Sequence, residues 1–151
     1  VILIATSNAG AHYIQDEVLK ATPVAQIKDE LVRNKLRDIF RPEFLNRFDG
    51  TVVFKPLSQE EVYQVAGLML KQVAKRLESK GITLTVTPDA QAELAKTGFD
   101  PIFGARPLRR VIQEQVDNAL ANYLLTGKVD RRDEVVLDAG GKITVHKAQA
   151  L

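Results

Sequence analysis

The chain has 151 residues, 45% of them hydrophobic and 26% charged, enough apolar material for a sizeable core in an ordinary globular protein. A formal charge of +2, with basic and acidic residues interleaved, gives no electrostatic case for nucleic acid or an anionic membrane as the main partner. The absence of cysteine excludes a disulfide framework, a thiolate metal site and a cysteine nucleophile.

Residues 1–5, Val-Ile-Leu-Ile-Ala, form a short β-branched apolar run that predicts a strand buried on both faces. No charged leader precedes it, so it is a poor signal peptide, and the expectation is a piece of a longer protein. No apolar run approaches the roughly 20 residues that span a bilayer. The strand ends at Thr6-Ser7-Asn8-Ala9-Gly10, a cluster of turn residues, which sets Asn8 at its carboxyl end. In open α/β sheets that edge is where ligands bind. A short helix is expected near residues 15–19. Thr22-Pro23 predicts a helix start, with Ile27, Leu31, Leu36 and Ile39 as its apolar stripe.

Residues 40–49 read Phe-Arg-Pro-Glu-Phe-Leu-Asn-Arg-Phe-Asp, two guanidiniums in strongly apolar company. Pro42 can open a short helix over residues 43–47, and the phenylalanines and leucine are expected to anchor it in a core. Residues 51–54, Thr-Val-Val-Phe, predict a short strand.

After Lys55-Pro56-Leu57 the pattern changes. Ser58 and Glu61 have the spacing of a capping box, and Leu57 and Val62 flank it as a hydrophobic staple. Val62, Val65, Ala66, Met69, Val73 and Leu77 follow at helical spacing up to Gly81. Residues 82–86 alternate apolar and threonine, a half-buried strand. Thr87-Pro88 starts a helix that Gly98 stops. An apolar loop over residues 99–103 leads into a long helix over 105–125, with Gly127 at its end. Residues 134–138 and 142–146 predict a hairpin around Ala139-Gly140-Gly141. Two units emerge: the end of an α/β sheet domain over 1–56, and a small α+β domain over 57–151 with three main helices and about three strands.

Three side chains could carry chemistry. Arg47 has a permanent charge and a planar fork that suits phosphate; the structural alternative is a stem covering apolar surface and a head paired with Glu43 or Asp49. Arg106 stands at a helix start, where free amides favour anions; alternatively Arg106, Arg109 and Arg110 form a solvated helix face. Asn8 could orient a water or a phosphate oxygen, or simply make a turn. His12 and His146 read as surface residues. No Ser-His-Asp grouping, metal-ligand spacing or phosphate-binding glycine loop occurs in the sequence.

Three motifs taken together are more specific. Val-Ile-Leu-Ile-Ala-Thr-Ser-Asn-Ala-Gly, then Phe-Arg-Pro-Glu-Phe-Leu-Asn-Arg-Phe-Asp, then Gly-Ala-Arg-Pro-Leu-Arg-Arg resemble, in this order and spacing, the Clp/Hsp100 family of AAA+ ATPases. The resemblance covers essentially the whole chain and implies the carboxyl-terminal part of the last ATPase module. By it, residues 1–56 are the end of an AAA+ P-loop domain, an α/β fragment, and residues 57–151 are its small α+β lid domain. Asn8 matches the family's sensor 1, Arg47 its arginine finger acting on a neighbouring subunit's nucleotide, and Arg106 its sensor 2. Arginine fingers in phosphoryl transfer are worth on the order of 10³–10⁵ in rate.

The resemblance further implies a hexameric ring, ATP or ADP with Mg2+ in the parent, protein substrates, a cytoplasmic location and no nucleic-acid or membrane partner. A ClpP-type peptidase is a further partner that the sequence leaves open, since it does not separate a disaggregase from a protease's unfoldase. The Walker A loop and the acidic Walker B strand are absent from the sequence. This chain alone is therefore expected to be inactive and to hold no tightly bound nucleotide. Residues 1–5, without their sheet neighbours, are expected to pair with another copy, pack elsewhere or be poorly placed. A different class of function remains beside this one: a non-catalytic helical interaction or oligomerisation module.

Overall fold

The structure is a computed structural model that describes residues 1–101 and 103–148. Ile102, within the loop expected over 99–103, and residues 149–151, at the end of the 57–151 unit, lie outside the described residues. The chain is mixed α/β and divides into two compact units, Val1–Pro56 and Leu57–Leu151.

In the first unit, α1 spans Ala11–Leu19, α2 spans Val24–Glu30 and runs into a π-helical turn at Leu31–Lys35, and α3 spans Pro42–Leu45. Gly10 enters α1 with φ 74°, a left-handed conformation that glycine adopts without strain, and a Cβ there would overlap the Leu31 side chain. The expected cap at Thr22 is displaced by one residue. Pro23 is the N-cap of α2, and the Thr22 hydroxyl instead donates to the Glu17 carboxylate at 2.8 Å. Ile27, Leu31 and Leu36 are buried as the stripe requires, but Ile39 is exposed.

Both strands expected in this unit are absent. Residues 1–5 have no regular structure and Val1 to Ile4 are exposed; residues 51–54 are likewise irregular, with Val52 and Phe54 exposed. A strand satisfies its backbone groups only against another strand, and among the described residues of this unit none is present to pair with. The expected core anchoring by the phenylalanines is also corrected. Phe40, Phe44 and Phe48 stack on one another at helical spacing, with centroids 5.5 and 5.0 Å apart, and Phe44 and Phe48 remain exposed.

The second unit is built by local signals that agree with its packing. The capping box at the start of α4, Gln59–Glu78, is complete: Glu61 N–H donates to Ser58 Oγ at 3.2 Å, and Ser58 N–H donates to the Glu61 carboxylate at 2.8 Å. At the far end Gly81, φ 79°, lets Ile82 N–H reach the Leu77 carbonyl at 3.1 Å and its own N–H reach Glu78 at 2.8 Å. That double closure is a Schellman motif, and it turns the chain into β1, Thr83–Val86. Thr87 Oγ1 then accepts from Ala90 N–H at 3.2 Å and starts α5, Pro88–Thr97.

The long third helix consists of α6, Arg106–Ile112, a π-helical turn at Gln113–Asp117, and α7, Asn118–Leu125. Leu108, Ile112, Val116 and Leu120 line its buried face. β2, Glu134–Asp138, and β3, Lys142–His146, close the chain as a hairpin. The sheet order is β1-β2-β3, parallel between the first two and antiparallel between the last two. A parallel pair needs a crossover, which α5 and the long helix supply. One apolar core joins these helices to the sheet, with Val62, Leu108, Val116, Val135 and Leu137 almost fully enclosed.

Gly98 ends α5 as expected, but with φ −89° it owes nothing to a left-handed conformation. Its role is close approach: a Cβ there would lie 2.6 Å from Leu108 Cα, so a side chain would push α5 off the first turn of α6.

Candidate functional site

Asn8 is exposed and lies in a turn rather than at the carboxyl end of a strand. Ser7 Oγ accepts from Ala9 N–H at 3.0 Å, and the Asn8 carbonyl accepts from Ala11 N–H at 3.1 Å, so the segment leads straight into α1. The turn-making alternative therefore describes its backbone in this chain, while its side-chain amide reaches solvent.

Arg47 follows α3. Arg41 is extended, with φ −62° and ψ 142°, and Pro42 occupies the first helical position, so the proline expected to open this helix does so. Phe44 and Phe48 meet edge to face across the turn that carries Arg47, whose N–H donates to the Phe44 carbonyl at 3.2 Å. The guanidinium is exposed. Among the described residues it forms no ion pair, so neither Glu43 nor Asp49 neutralises it.

Arg106 is the first residue of α6 and is exposed. Behind it two residues of the preceding connection pair with each other. Asp100 and Gly104 exchange backbone hydrogen bonds, Asp100 N–H to Gly104 O at 3.0 Å and Gly104 N–H to Asp100 O at 2.7 Å. The Asp100 carboxylate accepts from Phe103 N–H at 2.8 Å, and Gly104 takes φ 62°. Arg106 N–H in turn donates to the Phe103 carbonyl at 3.3 Å. The backbone bonds that lead into Arg106 thus start from Asp100, which the sequence places only within an apolar loop. The signal was present as Asp-Pro followed by glycine, a turn composition with a defined backbone.

The neighbouring arginines differ in their pairing. Arg110 Nε binds Glu114 at 2.8 Å one helical turn on, and Arg76 binds Asp117 through both carboxylate oxygens at 2.8 and 3.0 Å. These pairs brace the long helix and α4. The most perturbed carboxylate is Asp133, buried at the sheet's end. Backbone N–H groups of Asp130 at 2.8 Å and Ala148 at 3.0 Å, and then the Lys147 ammonium at 2.9 Å, hold its pKa down to about 2. It ties the last described residues to the turn before β2, and its role is structural.

Asn8 and Arg47 belong to the first unit and Arg106 to the second. Among the described residues no hydrogen bond joins Asn8 and Arg47 within the first unit. Nor does any group of three or more His, Asp or Glu side chains converge as a metal site. No described helix is long and apolar enough to cross a membrane.

An exposed arginine beyond a Pro-Glu-Phe-Leu turn, and a second arginine opening a helix of the small α+β unit, stand in two of the motifs that resemble an AAA module. In agreement, residues 1–51 match the AAA domain model of the Cdc48 subfamily. Residues 57–137 match the model of the C-terminal D2-small domain of ClpB protein, and the chain belongs to this family, as a Clp/Hsp100-type AAA+ carboxyl-terminal segment.

Similar proteins include chaperone protein ClpB of Tropheryma whipplei strain TW08/27, 39% identical over 140 residues, covering 93% of this chain and 20% of the relative. Chaperone protein ClpB of Streptomyces albus G is 43% identical over 137 residues, covering 91% of this chain and 15% of that protein. The chloroplastic chaperone protein ClpC4 of Oryza sativa subsp. japonica is 36% identical, covering 99% of this chain and 17% of its own length. The chain thus spans a fifth or less of the length of these relatives.

Proposed function

We propose that this chain is the carboxyl-terminal part of the last ATPase module of an ATP-driven protein unfoldase or disaggregase that works as a hexameric ring. Residues 1–56 are the end of the large subdomain, and residues 57–151 are the small subdomain that closes over the nucleotide as a lid. Arg47 is the finger that reaches the nucleotide of the neighbouring subunit, Arg106 contacts the γ-phosphate within its own subunit, and Asn8 helps to orient the attacking water.

Phosphoryl transfer asks little covalent chemistry of a protein. It is catalysed by positioning and by charge placed where negative charge develops on the phosphate oxygens. A guanidinium suits that task because it cannot lose its proton and presents several donors in one plane. The observation that carries this reading is the match of residues 1–51 and 57–137 to the AAA and ClpB D2-small models, with Arg47 exposed at the end of an ordered turn and unneutralised by Glu43 or Asp49. A charge with no carboxylate of its own is available to a ligand from outside.

ATP-coupled movement of the lid would then shift the ring's subunits and pull substrate polypeptide. The Walker motifs are absent from these 151 residues, so the chain by itself should not turn over ATP. A cytoplasmic setting and docking to a ClpP-type peptidase are the finer parts of the same reading.

The test is Arg47→Ala in the full-length ring protein, with ATP turnover and ring assembly measured together. The finger role predicts a loss on the order of 10³-fold or more in turnover with the ring intact. Unchanged turnover in an intact ring would favour the interaction-module reading instead.

A further inference from the structure

We infer that Asp100 is a positioning residue for Arg106: its carboxylate and backbone fix the loop that aims the arginine before nucleotide arrives. The inference rests on the reading of Arg106 as a nucleotide contact. It adds a residue that touches no nucleotide and acts only through the loop.

Asp100 takes part in at least three hydrogen bonds. Its carboxylate accepts from Phe103 N–H at 2.8 Å, and its backbone exchanges a pair of bonds with Gly104 at 3.0 and 2.7 Å. The carboxylate bond matters most for direction, because Phe103 is also the residue whose carbonyl receives Arg106 N–H. Gly104, at φ 62°, supplies the left-handed step that this closure requires.

The two flanks of the loop are fixed independently. On one side α5 ends at Gly98, pressed so closely to Leu108 that no Cβ fits. On the other, Leu108 itself is wholly buried, two residues beyond Arg106. Between these anchors Asp100 ties Phe103 and Gly104 through its carboxylate and backbone. The helix start has no side-chain cap of its own, since Ala105 is the N-cap residue, so the loop's internal bonds set its geometry. An arginine with many rotatable bonds gains from a rigid base, because less is lost on each hydrogen bond it later forms.

The test is made in the full-length ring protein. ATP turnover, KM and thermal unfolding are measured for Arg106→Ala, Asp100→Ala, Asp100→Asn and the double variant Asp100→Ala/Arg106→Ala. Asp100→Ala is expected to lower kcat/KM about ten-fold, within the roughly 10²-fold that a 1 Å misplacement can cost. Asp100→Asn should recover most of that loss, because its amide oxygen can still accept from Phe103 N–H. In the Arg106→Ala background, Asp100→Ala should cost nothing further in turnover, since there is no arginine left to aim.

Losses that multiply in the double variant, or wild-type kinetics for Asp100→Ala, would overturn the inference. Wild-type kinetics for Arg106→Ala would instead overturn the reading on which it rests. Should Asp100→Ala fail to fold, Gly104→Ala serves in its place. The nearest atom to the added methyl is Leu57 Cδ1 at 3.9 Å, so the change strains only the loop backbone. The same loss, absent without Arg106, is then expected, and a loss independent of Arg106 would again overturn the inference.

Discussion

The two units of this chain respond in opposite ways to the same kind of sequence signal. In residues 57–151 the caps, apolar stripes and turn glycines produce the elements they predict, and a core of buried side chains from three helices and a sheet closes around them. In residues 1–56 three side chains are buried, while Val1 to Ile4, Phe44, Phe48, Val52 and Phe54 face solvent. The difference is one of range. A helix finds its hydrogen bonds within itself, but a strand depends on a neighbour. The small unit contains all of its own neighbours. The first unit's two β-branched runs carry the composition of strands without a sheet to join.

The largest expected effect that sharpens this contrast comes from paired truncations. Leu108→Ala removes a fully enclosed side chain from the second core and should cost about 2–5 kcal/mol in a denaturant titration. Phe44→Ala breaks two ring contacts on an exposed ladder and should cost under about 1 kcal/mol. Comparable losses from the two would contradict the exposed placement of the phenylalanine ladder.

A smaller effect is expected from Ser58→Ala, which removes one of the two side-chain-to-backbone bonds of the capping box, the one from Glu61 N–H. It should lower stability by about 1 kcal/mol, and Ser58→Asp should restore most of it. No change in melting temperature would show that the cap is redundant with the packing of Val62.

Acid should separate the units further. Asp133, held at about 2 in the folded chain against an ordinary 3.8, binds its proton less readily when folded than when unfolded. Its contribution is present above the unfolded value and disappears as pH falls through the folded one, between roughly pH 4 and pH 2. Melting temperature should fall across that window, and Asp133→Asn should flatten the fall while lowering the plateau near neutral pH. A pH dependence unchanged by the substitution would remove Asp133 from the account.

These contrasts also explain how far the sequence could be read. Ser58 to Glu61, Thr87-Pro88, Gly81, Gly127 and the hairpin around Gly140 are local chemistry, and each does in the structure what its residues imply. The strands at 1–5 and 51–54 were legible in composition, but their existence is decided by partners outside their own segments. The roles proposed for Arg47, Arg106 and Asn8 rest on three motifs in order, since alone Arg47 reads more readily as a structural arginine, Arg106 as part of a solvated helix face and Asn8 as a turn residue. Asp100 went unassigned because its significance lies in the bond to Phe103 N–H and the closure with Gly104, which no periodicity encodes.

The central claim is that Arg47 completes a nucleotide site belonging to another subunit. The most direct measurement mixes two inactive forms of the full-length protein: one carrying Arg47→Ala, the other retaining Arg47 but lacking its own nucleotide-binding residues. If the arginine acts across the subunit boundary, mixed rings regain ATP turnover that neither form has alone. Mixed rings that assemble and remain as inactive as their parents would contradict it.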